Sequence, residues 1–193
     1  QDPRTKTGTR VLNTLPAGEK LASVRLGGGW YKGGGNVAQS ITYSVPVDED
    51  MGVIEFRYAV VAQSGGHQSP DQPRFTLEIL DENGAKLPDP KGCLTVDFRP
   101  PMNEDVWNSQ GGEKSGWYKA SPSLTGFSNV FWRDWTLVAF NVQDYKGKTI
   151  KIRITNRACS LGEHWGYIYF TLGCNDGQLK RAGCDNPNEQ YLV

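Results

Sequence analysis

The sequence predicts an all-β protein: a jelly-roll-like β-sandwich of two antiparallel sheets, with about seven to nine strands and one long irregular insertion. Short runs in which apolar residues take every second position indicate strands with one buried face. The 193 residues include 23 glycines, roughly twice the average share of about 7%, which is typical of a chain with many loops. No amphipathic helix of useful length is found, and the length suits one ordinary domain.

The first half of the chain contains the clearest strands. In residues 38–47 the apolar residues occupy alternate positions. Pro46 places the end of this strand at a sheet edge or a bulge, because proline has no N–H for the ladder. Further strands are expected at 21–26, 53–62 and 74–79, and the last of these ends at a turn with the sequence DENG.

The second half begins with a long segment that lacks a strand pattern. Within residues 85–130 only 93–98 looks extended, and an irregular segment of this length often marks a functional insertion. Strands resume at 134–142, 150–155 and 165–174. The immunoglobulin sandwich is the alternative fold, but its Cys…Trp…Cys spacing is absent.

These patterns divide the chain into three parts. Residues 1–20 form a polar N-terminal extension, and residues 21–174 form the sandwich domain, whose insertion covers about 99–130. Residues 175–193 are expected to be a disulfide-closed tail or linker that leads to another part of a larger protein.

Four cysteines without a CxxC pair disfavour zinc ribbons and thioredoxin-type redox sites. They favour two disulfides in a secreted protein, and the sequence allows three pairings. We prefer Cys93–Cys159 with Cys174–Cys184, because the second pair closes a short tail loop that has no apolar pattern. The alternative is a cytosolic protein with four free, buried cysteines.

Composition excludes several classes of function. Lysine plus arginine equals aspartate plus glutamate at 21 each, so no charge excess points to nucleic acid or to an acidic membrane surface. The mean hydropathy of −0.53 and the lack of a long apolar run argue against membrane insertion. An enzyme is not expected, since no GxSxG turn, phosphate-binding loop or marked carboxylate pair is present.

Several segments together resemble a known family. They are SVRLGGG at 23–29, the strand pair at 58–84 and the stretch at 133–174. Two strings are the most specific: His-x4-Gln-Pro-Arg-Phe from His67, and Cys-x4-His-x-Gly-Tyr-x-Tyr from Cys159. The chain resembles the jelly-roll-like domain near the N-termini of very large secreted bacterial surface proteins. Many of those proteins are adhesins, and many end in a gliding-motility-associated C-terminal secretion domain. The resemblance implies an extracellular, non-enzymatic module at a bacterial surface.

The final strand also resembles the closing strand of calcium-containing jelly-rolls, such as carbohydrate-binding modules and MAM-like domains. Those domains often carry an aspartate where this chain has Thr171, and calcium requires several carboxylate or carbonyl oxygens. The acidic triplet Asp48, Glu49 and Asp50 is the other candidate source of calcium ligands, and a solvated turn is its alternative interpretation.

The only two histidines, His67 and His164, lie in loops between strands. If the loops share one end of the sandwich, both imidazoles with Glu163 or Asp71 would form a zinc or copper site. The alternative is that each ring bonds loop backbone. Arg74 is a candidate partner for Glu163 or for a ligand carboxylate, because its planar fork suits bidentate contacts, and a structural salt bridge is its alternative role.

Aromatic residues in loops are the main candidate ligand contacts: Trp30, Tyr31, Trp107, Trp117 and Tyr118. Tryptophans held in water are costly unless they make contacts, so these rings predict platforms for sugar rings or anchors for a protein partner. We expect Trp30 and Trp117 to be exposed. The alternative is that the rings of the insertion fold back as a lid over the sandwich edge.

These observations lead to one expected function and one alternative. The chain is expected to be a secreted, non-enzymatic binding module of a larger bacterial surface protein, with lectin-like or adhesive activity towards a glycan or protein on a cell surface. The alternative is a structural spacer or cap with no ligand of its own.

Overall fold

A computed structural model describes residues 1–19, 22–28, 37–68, 70–89 and 94–175. The strands are β1 (Val24–Gly27), β2 (Ala38–Pro46), β3 (Val53–Gln63), β4 (Arg74–Leu80), β5 (Thr95–Phe98), β6 (Trp117–Lys119), β7 (Val130–Asn141), β8 (Thr149–Arg157) and β9 (Gly166–Asn175). The helices are α1 (Glu104–Ser109) and α2 (Pro122–Thr125), with 3-10 turns at Pro3–Thr5, Gly112–Ser115 and Gln143–Tyr145.

The strands form two antiparallel sheets, which confirms the predicted fold class. One sheet has the order β1-β9-β3-β7-β6 and the other has the order β2-β8-β4-β5. Pro46 ends β2 at the edge of the second sheet, as its missing N–H predicts. None of the helices in the described ranges is long and apolar enough to cross a membrane.

The main core lies between the sheets. Alternate residues of β3 and β8 point into it, and both strands were predicted from that alternation. Phe56 is fully buried and stacks with Phe170 at a ring-centroid distance of 5.5 Å. Burial of this apolar area is the main force that holds the two sheets together.

A second cluster lies on the outer face of the five-stranded sheet. Residues 1–12, part of the predicted extension, cover this face with Leu12 and with the buried side chain of Asp2. The Asp2 carboxylate accepts hydrogen bonds from the hydroxyls of Tyr167 at 2.6 Å and Tyr169 at 3.1 Å. The central strand β3 is therefore buried on both faces, although its sequence predicted one buried face.

The insertion folds back on the sandwich edge. Asn103 caps α1 by accepting a bond from the Val106 N–H at 2.9 Å, which satisfies an amide that the first helical turn leaves free. The Trp107 indole N–H donates to the Trp117 carbonyl at 2.8 Å. Trp117 itself is only 6% exposed, because β6 pairs with β7 and its ring joins the main core. The expectation that Trp117 is exposed is wrong.

The buried position of Trp117 predicts a stability effect. Trp117→Ala should lower the free energy of unfolding by about 3–5 kcal/mol, since it removes a large ring from the core and leaves a cavity. Leu161 is 66% exposed, so Leu161→Ala is the control and should change it by less than about 0.5 kcal/mol. Urea titration measures the free energy of unfolding of both variants. Equal losses in the two variants would contradict the burial of Trp117 in the core.

The buried tyrosines predict a loss of stability at alkaline pH. Burial raises the pKa of Tyr58 and of Tyr167, and burial together with the Asp2 carboxylate raises the pKa of Tyr169 to about 12. Their stabilising contribution is complete below the unfolded tyrosine pKa of about 10 and is lost as pH rises through each folded pKa. The free energy of unfolding should therefore fall above about pH 10.

Tyr58→Phe isolates one of these groups. Phenylalanine has no phenol to ionise, so the decline with pH should become shallower by up to about 1.4 kcal/mol per pH unit. Denaturant titrations of both proteins at a series of alkaline pH values measure the slopes. Identical slopes would show that the Tyr58 phenol ionises as readily in the folded chain as in the unfolded one.

Candidate functional site

Two loops that join the sheets meet at one end of the sandwich. Residues 64–73 lead from β3 to β4, and residues 158–165 lead from β8 to β9. Ala62 of β3 pairs with Gly166 of β9, and Arg74 of β4 pairs with Arg157 of β8, so both connections leave the strands at the same end. We call the pair the crossover loops.

Each crossover loop carries one of the two histidines. The rings of His67 and His164 lie 5.1 Å apart between centroids, at an interplanar angle of 69°. The sequence-based condition for a shared site, that the two loops lie at one end of the sandwich, is therefore met. Both side chains are half-buried.

The third member of this cluster is Cys159. One ligand atom from each of His67, Cys159 and His164 lies within 4.8 Å of the others. The Cys159 N–H donates to the His164 carbonyl at 3.1 Å, which closes the second crossover loop and directs the buried thiol into it. We call these three residues the histidine–cysteine cluster.

The predicted Cys93–Cys159 disulfide is not seen in the part of the chain that the structure describes. Cys159 is a free thiol with 0% exposure, because its side chain is turned inward towards the two imidazoles. Cys93 lies outside the described residues. The proposed Cys174–Cys184 pair also depends on Cys184, which lies outside them as well.

Glycine at position 65 permits the close approach of the rings. A Cβ on Gly65 would overlap the Nδ1 atom of His164 and would lie 2.6 Å from the Cδ2 atom of His67. Any side chain there would push the two rings apart. The histidine–cysteine cluster thus depends on a residue that carries no chemistry of its own.

A buried hydrogen-bond network fixes the first crossover loop. The Ser64 hydroxyl donates to the Met102 carbonyl at 2.5 Å and accepts a bond from the Gln72 amide at 3.1 Å. The same amide donates to the His67 carbonyl at 2.7 Å. Ser64 and Gln72 are only 2% and 3% exposed, so both groups need these partners. The network holds the backbone of His67 and joins it to the insertion.

The electrostatics of the cluster favour a neutral His164. Burial lowers the pKa of this imidazole, and the nearby His67 lowers it further, while Glu163 and a backbone hydrogen bond with Gly162 act in the opposite direction. The Nδ1 atom of His164 is buried and has no hydrogen-bond partner in the structure. A neutral imidazole with an unused nitrogen is the form that binds metals.

The other polar residues that the sequence placed near the two histidines, Glu163, Asp71 and Arg74, lie outside the histidine–cysteine cluster. Glu163 is exposed and has a left-handed backbone with φ of 72°, and Asp71 accepts a hydrogen bond from the Ser160 hydroxyl. Arg74 forms a bidentate pair with Asp97 of β5, with distances of 2.8 and 2.7 Å. Its role is the structural salt bridge that was the alternative.

A recess lies beside the cluster on the same end of the sandwich. It is lined by Gly27, Gly28, Val37, Gln39, Asn156, Ala158, Glu163, His164, Trp165 and Gly166. The Asn156 amide donates to the Gly166 carbonyl at 2.8 Å. A Cβ on Gly27 would overlap this amide, so the recess requires glycine there. The exposed side chains of Gln39 and Glu163 leave polar atoms available to a ligand.

The remaining aromatic candidates do not form a set of exposed platforms. Trp30 and Tyr31 lie outside the described residues, and Trp107 and Trp117 are packed as described above. Tyr118 lines an open polar groove. Its ring centroid lies 4.5 Å from that of Trp132 and 4.8 Å from the central carbon of the Arg10 guanidinium, so both groups already cover the ring. A sugar ring could not use those contacts without displacing Arg10.

The acidic triplet is a turn at the surface. Asp48, Glu49 and Asp50 are all exposed, and the Met51 N–H donates to the Asp48 carbonyl at 3.0 Å. Across the ranges that the structure describes, the histidine–cysteine cluster is the one group of three or more histidine, cysteine or acidic side chains arranged to hold a metal ion.

Sequence reasoning missed Cys159 as a member of the site. The signal was present in the Cys-x4-His string, which places Cys159 five residues before His164. Assigning that cysteine to a disulfide removed it from consideration as a partner of the histidines. The hydrogen bond from Ser64 to the Met102 carbonyl had no sequence signal, because it depends on the position of the distant insertion.

Comparisons of the chain with protein-family models, with curated proteins and with solved structures find no significant match. The resemblance to the N-terminal domain of bacterial surface adhesins therefore stays a prediction from the sequence.

Proposed function

We propose that this chain is a non-enzymatic, extracellular binding module of a larger bacterial surface protein, and that it binds a glycan at the end formed by the crossover loops. The observation that supports this proposal most is the recess beside His164, where exposed polar side chains surround a backbone held in place by buried contacts. Binding sites commonly combine such a concave surface with a few fixed polar groups.

The polar groups of the recess suit sugar hydroxyls. Gln39 supplies an amide that both donates and accepts, and Glu163 supplies an acceptor-only carboxylate. Trp165 also lines the recess, and its ring stacks on that of Tyr167 at a centroid distance of 5.6 Å. A sugar ring presents hydroxyls at its edge and C–H groups on its faces, so this combination fits a carbohydrate better than a purely apolar ligand.

The hydrogen bonds that hold the two crossover loops in place limit the entropy lost when a ligand binds. The Ser64–Gln72 network fixes one crossover loop, and the Cys159–His164 backbone bond closes the other. A ligand that meets fixed groups orders fewer side chains than one that meets flexible loops. The proposed contact surface is therefore this pre-formed recess and not the loop tryptophans.

A structural spacer or cap remains the second candidate. It is favoured by the packing of Trp107 and Trp117 against the sandwich, since these rings stabilise the domain edge and are not presented to solvent. A spacer would need no ligand at the recess, and its surface substitutions would leave all binding assays blank.

A glycan-array experiment tests the proposal. The purified chain should bind a reproducible set of glycans, and Glu163→Gln should weaken that binding by about tenfold or more. Loss of a hydrogen bond to a charged group costs about 1.5–3 kcal/mol, and 1.4 kcal/mol corresponds to a factor of ten. Glu82→Gln is the matched control, because Glu82 is exposed in a distant turn.

The outcomes separate the candidate functions. Glycan binding that Glu163→Gln weakens and Glu82→Gln does not would support the recess. Binding that neither variant affects would place the ligand elsewhere on the domain and overturn the assignment to the recess. A blank array combined with adhesion to protein-coated surfaces would indicate a protein partner, and a blank result in both assays would favour the spacer.

A further inference from the structure

The histidine–cysteine cluster has the composition of a transition-metal site. Imidazole nitrogens and a cysteine sulfur are the ligands that zinc and copper prefer, whereas calcium and magnesium require oxygen. The three side chains come from both crossover loops, so their convergence is a product of the fold and not of local sequence spacing.

The distances permit a shared ion after a small movement. Zinc–nitrogen and zinc–sulfur bonds of about 2.0–2.3 Å place the ligand atoms of a tetrahedral site about 3.3–3.7 Å apart. The ligand atoms here lie within 4.8 Å of one another. Side-chain rotations that bring each atom inward by about 1 Å are therefore sufficient, and the backbone can keep its position.

An unpartnered buried atom points to a missing ligand. The Nδ1 atom of His164 makes no hydrogen bond although it is buried, and a buried polar atom without a partner is unfavourable. Gly65 packs against this atom without a side chain, which lets His67 approach it. A metal ion shared with His67 and Cys159 would satisfy the nitrogen.

The surroundings suit an ion that enters from solvent. Cys159 is fully buried, whereas both histidines are partly exposed, so the imidazoles form the accessible part of the cluster. The Ser64–Gln72 network holds the His67 backbone in place. Supporting contacts of this kind orient metal ligands.

We propose that His67, Cys159 and His164 bind one thiophilic transition-metal ion, Zn²⁺ or a copper ion. Binding converts the Cys159 thiol to a thiolate, releases its proton to solvent and forms one metal–sulfur and two metal–nitrogen bonds. Three protein ligands leave a further coordination position for water or an external ligand. The inference does not depend on the glycan proposal, since metal binding requires no sugar, although His164 also borders the recess.

Cobalt titration of the full chain under reducing conditions tests this site. Co²⁺ substitutes for Zn²⁺ and gives a thiolate-to-metal charge-transfer band, so the band should saturate at one equivalent. It should disappear in Cys159→Ser. His67→Gln, which changes a partly exposed side chain, should weaken Co²⁺ binding by at least about tenfold, because even the loss of a supporting residue costs 10–100-fold.

Two controls make the result specific. A chain with serine at Cys93, Cys174 and Cys184 should keep the band, which excludes thiols outside the cluster. Glu82→Gln should also keep it, because Glu82 is exposed in a distant turn. Competition then separates the metals: displacement by stoichiometric Zn²⁺ identifies a zinc site, and displacement by Cu⁺ after Zn²⁺ fails identifies a copper site.

The result that would overturn the proposal is equally direct. The absence of a band in the folded wild-type chain, or a band that persists in Cys159→Ser or loses no affinity in His67→Gln, would show that the cluster does not bind metal. Metal binding with a blank glycan array would leave this inference intact while removing the proposed function. The reverse pattern would remove only the metal site.

Discussion

The two connections that cross between the sheets at one end determine the site. The path from β3 to β4 and the path from β8 to β9 link opposite sheets, and antiparallel pairing of β3 with β9 and of β4 with β8 places the two paths side by side. Side chains more than ninety residues apart in sequence, such as His67 and His164, are brought into ring contact by this pairing. The core between the sheets maintains the pairing, so its packing indirectly supports the cluster.

Local contacts convert that proximity into a defined arrangement. Gly65 has no side chain that would separate the rings. The Ser64–Gln72 pair fixes the backbone of His67. A free cysteine inside such a framework is unusual for a secreted protein, in which thiols commonly form disulfides. If the proposed extracellular location is right, metal ligation by Cys159 would explain how this thiol stays reduced, and it would link the two crossover loops as a disulfide does.

The fold was predictable because strand alternation is a local property. Residues 53–62 and 150–155 showed their buried positions directly, and Pro46 correctly indicated an edge. The three-residue strand β6 was missed since it is too short for a pattern, and Trp117 was misjudged because its burial comes from pairing with β7. For the site, the two histidines were identified as candidates and their shared end was stated as a condition, whereas Cys159 was assigned to a disulfide. Contacts such as Ser64 with Met102 depend on tertiary structure alone.

The crossover loops bring the two imidazoles together in the folded chain. Because the sequence contains only two histidines, a nuclear Overhauser spectrum of the metal-free protein can identify ring-to-ring contacts without ambiguity. A centroid distance of 5.1 Å predicts cross-peaks between the ring protons of His67 and His164. Well-resolved ring signals with no cross-peak between them would contradict the arrangement of the loops and, with it, the site built on them.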